Sequence, residues 1–270
     1  FTFFLNKKFL CHLIFNIFLA AFFLPLVTPC VWLVQKFFPI KNEISDRSKT
    51  KYIDEAALDT PALAFAQARS EVIRILQIAR GMFRQSLKIY KMNVDFDELT
   101  EKISNDDDRI DIIEKAVRFY LAKISQQSLT EKQVTTQLSL LTMSDEIEAV
   151  GDIISKDIIS LARKKRKKIA RVSDEGWKEL EQLHRLISEN FDLLLSMTIQ
   201  PCEEIMKKIE RHEQYLNEME QDLRQSHLMR LHEMLPETYE TSTIHLDLLG
   251  QLRLINIRLA KIADVAIELK

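Results

Sequence analysis

Ile103-Ser-Asn-Asp106-Asp107-Asp-Arg109-Ile110-Asp111-Ile-Ile113-Glu114-Lys115-Ala-Val117 reads as one face of a helix, because Ile103, Ile110, Ile113 and Val117 recur at steps built from threes and fours. Moved by 106 positions the stripe appears again: Ile103 lands on Ile209, Ile110 on Leu216, Ile113 on Met219 and Val117 on Leu223. The polar gap moves with it, Asp106 landing on His212 and Asp107 on Glu213. A shared gap is harder to obtain by chance than shared apolar positions, so the chain is read as two copies of one helical unit.

The flanking sequence makes each unit three helices long. Thr60-Pro61 places a cap before a proline at the first helical position, ahead of the stripe Val72, Leu76, Ala79, Phe83, Leu87 and Tyr90. The quoted helix opens near Asp95, with Glu98 three residues on. Ser128-Leu-Thr-Glu131 has capping-box spacing before Leu140, Met143, Ile147, Val150, Ile154, Ile158 and Leu161. In the second copy, Ser173 precedes Trp177, Leu180, Ile187, Phe191 and Leu194, and Pro201 precedes Ile205 and the repeated stripe. Pro236 precedes Ile244, Leu248, Leu252, Ile255, Leu259, Ile262, Ala266 and Leu269. Four glycines and six prolines in 270 residues leave few tight turns for sheet or phosphate-cradling loops, which agrees with an all-α chain. The expected organisation is a membrane helix in residues 1–40, a linker in 41–59, and three-helix bundles in 60–168 and 169–270.

Residues 9–38 carry no formal charge until Lys36. A bilayer-crossing helix needs about 20 apolar residues, so this run spans, with Pro25 and Pro29 giving a kink or an interfacial end. It is too long for a signal peptide's apolar core, and Pro29-Cys30-Val31-Trp32 is unlike a processing site. Lys36, Lys41, Arg47, Lys49 and Lys51 beyond it favour the cytoplasmic side, against Lys7 and Lys8 at the other end. His12 and Asn16, four residues apart inside the run, belong on a face turned from lipid. With Phe1 rather than Met at its start, the chain is expected to be a fragment of a longer protein.

A net charge of −2 argues against a dedicated nucleic-acid binder. Cys11, Cys30 and Cys202 have no metal-ligand spacing, and the histidines show no zinc motif. With no Gly-rich loop, nucleophile elbow or CxxC, the sequence gives no support for an enzyme. Two charged features remain. Asp107, Asp111 and Glu114 lie at i, i+4 and i+7, and Glu148 and Asp152 at i and i+4, with Asp145 beside them. Facing one another across a bundle, such carboxylates hold a hard or borderline cation (Mg²⁺, Ca²⁺, Mn²⁺ or iron); facing water, they are a solvated acidic surface. Arg109 and Lys115 sit about 100–200° around the helix from Asp107 and Glu114 and are poorly aimed to neutralise that edge. The predicted metal ligands are Asp107, Asp111, Glu148 and Asp152. Residues 163–168 are six consecutive cations, read either as a dipole-compatible helix end or as a contact for anionic membrane lipid.

Three stretches carry a resemblance. His12-Leu-Ile-Phe15-Asn16, followed by Phe-Leu-Pro25, resembles the closing membrane helix of bacterial sodium/phosphate cotransporters. Lys51-Tyr-Ile-Asp54-Glu-Ala-Ala-Leu-Asp59-Thr60-Pro61-Ala62-Leu63-Ala64 is similar to that family's passage into its PhoU-like domain. Ser226-His227-Leu228, Leu235-Pro236-Glu237 to Thr241-Ser242, His245-Leu-Asp247-Leu-Leu249 and Arg253-Leu-Ile-Asn256 are similar to its last helix. The resemblance implies sodium-coupled transport of inorganic phosphate by an upstream membrane domain, in the bacterial inner membrane. This chain would be its cytoplasmic regulatory part, with sodium, phosphate and that domain as partners and a homodimer as a further one. The family's upstream transport motifs are absent here, so the chain alone should not transport. A membrane-tethered scaffold or signalling protein is the alternative. PhoU-like domains carry a Glu/Asp-x-x-x-Asp motif associated with metal clusters, matched by Glu148-Ala-Val-Gly-Asp152. The corresponding positions of the second unit hold Arg253 and Ile257, so the resemblance implies one metal site at most.

Overall fold

The computed structural model describes residues 12–19, 21–23, 49–91, 93–168, 174–232 and 236–269, and every regular element among them is helical. Residues 12–19 and 21–23 are helical, with Asn16 Nδ2 donating to His12 Nδ1 at 3.3 Å. The rest of the apolar run expected to cross the membrane lies outside the described residues. Among those described, no helix is long and apolar enough to do so.

Asp46–Lys270 forms one compact unit. Its long helices are α1 (Pro61–Ser86), α2 (Phe96–Ile124), α3 (Glu131–Asp152), α4 (Ile159–Lys168), α5 (Asp174–Ile199), α6 (Glu203–His232) and α7 (Pro236–Ala266). Local chemistry sets their starts. Pro61 occupies the first turn of α1, although Thr60 makes no side-chain cap. Asp95 Oδ1 accepts from the Glu98 N–H at 3.0 Å and starts α2. The capping box of α3 lies two residues beyond the expected Ser128 and Glu131. Thr130 Oγ1 accepts from the Gln133 N–H at 3.3 Å, and Gln133 Oε1 accepts from the Thr130 N–H at 2.9 Å. A glutamine amide returns the bond as well as a carboxylate does, and it is the pair that fits both donors.

The apolar stripes turn inward. Val72, Leu76, Ala79, Phe83, Ile103, Ile110, Ile147, Ile154, Phe191, Leu252, Ile255 and Leu259 are completely buried. Full burial of such a side chain stabilises by roughly 1.5–3 kcal/mol, and so many recur along the stripes that they hold the helices together. Helices α1, α2 and α3 pack on one another, as α7 packs on α5 and α6; α3 against α7 and α1 against α5 join the two sets. Polar clamps fix the register of that seam. Glu146 of α3 accepts from Arg258 at 2.7 Å and pairs with Lys261, both from α7. Asp192 of α5 pairs with Arg80, and with Arg84 at 3.2 Å, on α1. Arg69 donates from Nε to the Thr198 carbonyl at 2.9 Å, supplying positive charge to the negative end of the α5 dipole. The His184 ring stacks on Phe83 with centroids 4.3 Å apart.

One irregularity was not foreseen from periodicity. The third helix does not run unbroken from residue 131 to 168: Ile153–Ile158 forms a π-turn between α3 and α4. Ile153, Ile154 and Ile158 stay in the core. The carbonyl of Ile158 accepts a hydrogen bond from the buried Tyr90 hydroxyl at 2.9 Å. Such single-turn insertions recur at functional sites, and this one begins immediately after Asp152.

Candidate metal centre

Helices α2 and α3 pack side by side, and their shared edge gathers the acidic residues. Asp111 from α2 and Glu148 and Asp152 from α3 each offer a carboxylate oxygen, all within 4.8 Å of one another and partly buried. Among the described residues this is the group of acids, histidines or cysteines close enough to share an ion.

Asp107, the fourth predicted ligand, sits beside this triad rather than in it. The π-turn brings Ser155 over it, and Ser155 Oγ donates to Asp107 Oδ2 at 2.6 Å. Its other oxygen, Oδ1, is buried with no hydrogen-bond partner. That oxygen lies against Gly151: a Cβ at position 151 would fall 2.8 Å from it and push the Asp107 carboxylate aside. Asp111 Oδ1 is likewise buried without a hydrogen bond, whereas Asp152 Oδ1 meets the Lys156 ammonium. Orphaned carboxylate oxygens on α2, facing Glu148 and Asp152 of α3, fit a hard, oxygen-seeking cation, which would bring the two helices' carboxylates together and cancel their repulsion.

The electrostatics point the same way. Burial is the main reason the Asp107 carboxyl is pushed above its ordinary range; the charges of Asp152 and Asp111 add to the effect, and the Ser155 hydrogen bond opposes it. Glu148 is raised by burial first, then by Asp152, Asp111 and Glu114. Glu114 is raised by burial against the pull of Arg118.

The cations around this edge differ from expectation. Arg109 turns aside to Asp106 at 2.6 Å, as its position on the helix requires. Lys115, expected to be poorly aimed, reaches Asp111 Oδ2 at 3.4 Å, because its long stem covers the one-turn step from i to i+4. Lys156, inside the π-turn, pairs with Asp152. Arg118 pairs with the buried Glu114 at 2.5 Å and with Asp145 at 3.0 Å. Both lysines are 65% exposed, and water screens such pairs strongly. They soften the repulsion without replacing a bound cation.

The second half repeats this polar pattern with different chemistry. The 106-residue shift also carries Asp111 to Asn217, Glu114 to Glu220 and Arg118 to Arg224. Glu220 is buried and pairs with Arg224, as Glu114 pairs with Arg118. Arg253 Nε donates to Asn217 Oδ1 at 2.9 Å. Ile257 is 39% exposed and offers no ligand.

The basic run is only partly solvated. Arg163, Lys164, Arg166 and Lys167 are exposed. Lys165 turns inward, donating to the Tyr90 carbonyl at 2.9 Å and lying over the Tyr90 and Trp177 rings. Burial lowers its pKa. Arg166 stacks over Phe96 at 4.6 Å.

Comparison with known proteins joins these observations. Residues 72–158, which hold the triad, Asp107 and Ser155, match the PhoU domain family. Over 257 residues, 95% of this chain, the sequence is 25% identical to "Putative inorganic phosphate export protein YjbB" of Escherichia coli K12. It is 24% identical to the protein of that name in Salmonella typhimurium. The chain spans about half the length of these curated relatives, 47% in each case. The fold is similar to that of PhoU from Pseudomonas aeruginosa, with a TM-score of 0.62 and 14% identity over 78% of this chain and 96% of that one. It is also similar to the phosphate transport system regulatory protein PhoU from Streptococcus pneumoniae, with a TM-score of 0.59 and 16% identity over 78% of this chain and 94% of that one. The chain is therefore PhoU-like and related to proteins associated with phosphate transport.

Proposed function

We propose that this PhoU-like chain is the regulatory part of a sodium-dependent inorganic phosphate transporter. Residues 9–38 would be the last membrane helix, residues 60–168 and 169–270 two three-helix repeats on the cytoplasmic face of the bacterial inner membrane, and transport itself would reside upstream. The observation that carries this reading is the match of 95% of the chain to proteins named for phosphate export, with a PhoU domain inside it. The role is regulatory rather than catalytic. The acidic edge is a place for an effector cation, held by Asp111, Glu148 and Asp152 with Asp107 alongside, and it lacks a nucleophile or paired Glu-x-x-His ligands. Bound there, the cation would tie α2 to α3. The exposed cations Arg163, Lys164 and Lys167 would meet anionic lipid headgroups, each worth about 1 kcal/mol near such a surface.

The test uses the longer transporter polypeptide that includes these residues. Phosphate flux, with sodium present or replaced by choline, is compared between wild type and Glu148→Gln with Asp152→Asn, at matched membrane abundance. The proposal expects sodium-dependent flux in both proteins, with its control by divalent metal lost in the variant. Phosphate movement indifferent to this region and to sodium would overturn it.

A further inference from the structure

We propose that Ser155, delivered by the π-turn Ile153–Ile158, is a positioning residue that makes Asp107 the fourth donor of the acidic site. The inference rests on the metal-site reading above and deepens it.

Asp107 is 9% exposed, and its two oxygens have unequal surroundings. Oδ2 accepts from Ser155 Oγ at 2.6 Å, while Oδ1 has no partner and lies against Gly151, the neighbour of Asp152. A carboxylate free to rotate would present either oxygen, or turn both toward water. The hydroxyl removes that freedom by occupying one oxygen and leaving the other aimed along α3. Ser155 Oγ is itself within 3.4 Å of the Asp152 carbonyl, so the same hydroxyl is tied to the backbone of a triad residue.

The π-turn makes this arrangement possible. Its wider turn begins directly after Asp152, carries Ser155 toward α2, and keeps Ile153, Ile154 and Ile158 in the core. Tyr90 closes the far end through the Ile158 carbonyl. A backbone irregularity that holds one side chain against a ligand residue is a supporting shell in the sense established for metal sites, where loss of such a partner typically lowers affinity 10–100-fold.

The experiment titrates Mn²⁺ into the full chain in detergent, following free ion by electron paramagnetic resonance and the melting temperature in parallel. Four proteins are compared: wild type, Ser155→Ala, Ser155→Thr, and Glu148→Gln with Asp152→Asn. The expected result is wild-type binding, loss of it in the double variant, affinity weakened about tenfold in Ser155→Ala, and recovery in Ser155→Thr, which keeps the hydroxyl. Gly151→Ala, whose methyl displaces Asp107 Oδ1 without touching Ser155, should weaken binding as well. Equal affinity in wild type and Ser155→Ala, with binding still lost in the double variant, would overturn the role of Ser155 and leave the metal site standing. Absence of Mn²⁺ binding by wild type would overturn both.

Discussion

Arg253 of α7 donates from Nε to Asn217 Oδ1 of α6 at 2.9 Å, and its Nη1 lies 3.7 Å from Glu220 Oε2. Asn217 is the counterpart of Asp111 under the 106-residue shift, and Arg253 faces it as Glu148 faces Asp111. Where the first half assembles carboxylates, the second pairs an amide with a guanidinium. A fixed positive charge therefore stands in the second half where the first half leaves room for a cation. The prediction is one Mn²⁺ equivalent per chain by calorimetry. Arg253→Gln should cost about 1–2 kcal/mol in urea unfolding, the size of a hydrogen bond to a charged partner, while the metal response stays unchanged. Binding of two equivalents by wild type would contradict this assignment.

The acidic edge should make the metal-free protein more stable in mild acid than at neutrality. Burial raises the carboxyls of Asp107, Glu148 and Glu114 above their ordinary range. A carboxyl raised by folding contributes stability that is complete below its unfolded pKa, about 4, and is lost as pH rises through the folded value. With chelator present, the melting temperature should rise as the pH is lowered from 7 toward about 5, and Glu148→Gln should flatten that slope. Saturating Mn²⁺ at pH 7 should remove the neutral-pH deficit. A flat profile in wild type would show that these groups titrate as they do in the unfolded chain.

Glu146, two residues before Glu148, should behave in the opposite way. Burial alone would raise its pKa, but hydrogen bonds and charge from Lys261 and Arg258 outweigh burial and lower it. Its contribution is present above the ordinary carboxylate pKa and is lost as pH falls through the lowered folded value. Glu146→Gln should therefore cost about 2 kcal/mol at pH 7, as expected for hydrogen bonds between charged groups, and the difference from wild type should begin to shrink as the pH falls below about 4 and vanish only below the lowered folded value. A difference independent of pH would mean that packing at the α3–α7 seam, not charge, sets the cost.

The contrast between Glu146 and Glu148 marks what was legible in the sequence. The apolar stripes report burial directly, because period alone selects a face. Glu148 and Asp152 were legible for the same reason, being one turn apart on a named motif. Asp107 lies on the expected edge but is drawn to Ser155 by a π-turn that no spacing announces, since Ile147, Val150, Ile154 and Ile158 read as an ordinary stripe. Lys115 is not legible from Cα angles, which ignore the reach of a lysine stem to Asp111. The partners of Glu146 lie more than a hundred residues away on α7, and only packing selects Arg258 and Lys261 over Arg253, the other arginine of that helix.

Glu71 ties the helical unit to the chain that leads into it at Lys51 and Tyr52. It is completely buried on α1, and its Oε1 accepts from the backbone N–H groups of Lys51 and Tyr52, the latter at 2.7 Å. Arg74 pairs with Oε2 at 3.1 Å and donates to the Lys49 carbonyl at 2.8 Å. Further along, the Tyr120 hydroxyl donates to the Asp54 carbonyl at 2.9 Å, and Gln127 Nε2 donates to the Leu58 carbonyl at 2.6 Å. A strap of backbone polar groups is thus satisfied by side chains of α1 and of α2 and its C-terminal turn. If it lifted away, a buried carboxylate would lose two donors, so strap and bundle should open together. Glu71→Ala should cost about 2 kcal/mol, lowering the melting temperature by roughly 5 °C in a unit of this size. It should also accelerate tryptic cleavage after Lys49 and Lys51 well beyond cleavage elsewhere. Glu71→Gln, which keeps one acceptor for the two N–H groups, should fall between wild type and Glu71→Ala. If Glu71→Ala loosens every cleavage site equally, the carboxylate serves only the global fold; preferential cleavage at the strap identifies it as the local tie between the helical unit and the segment upstream.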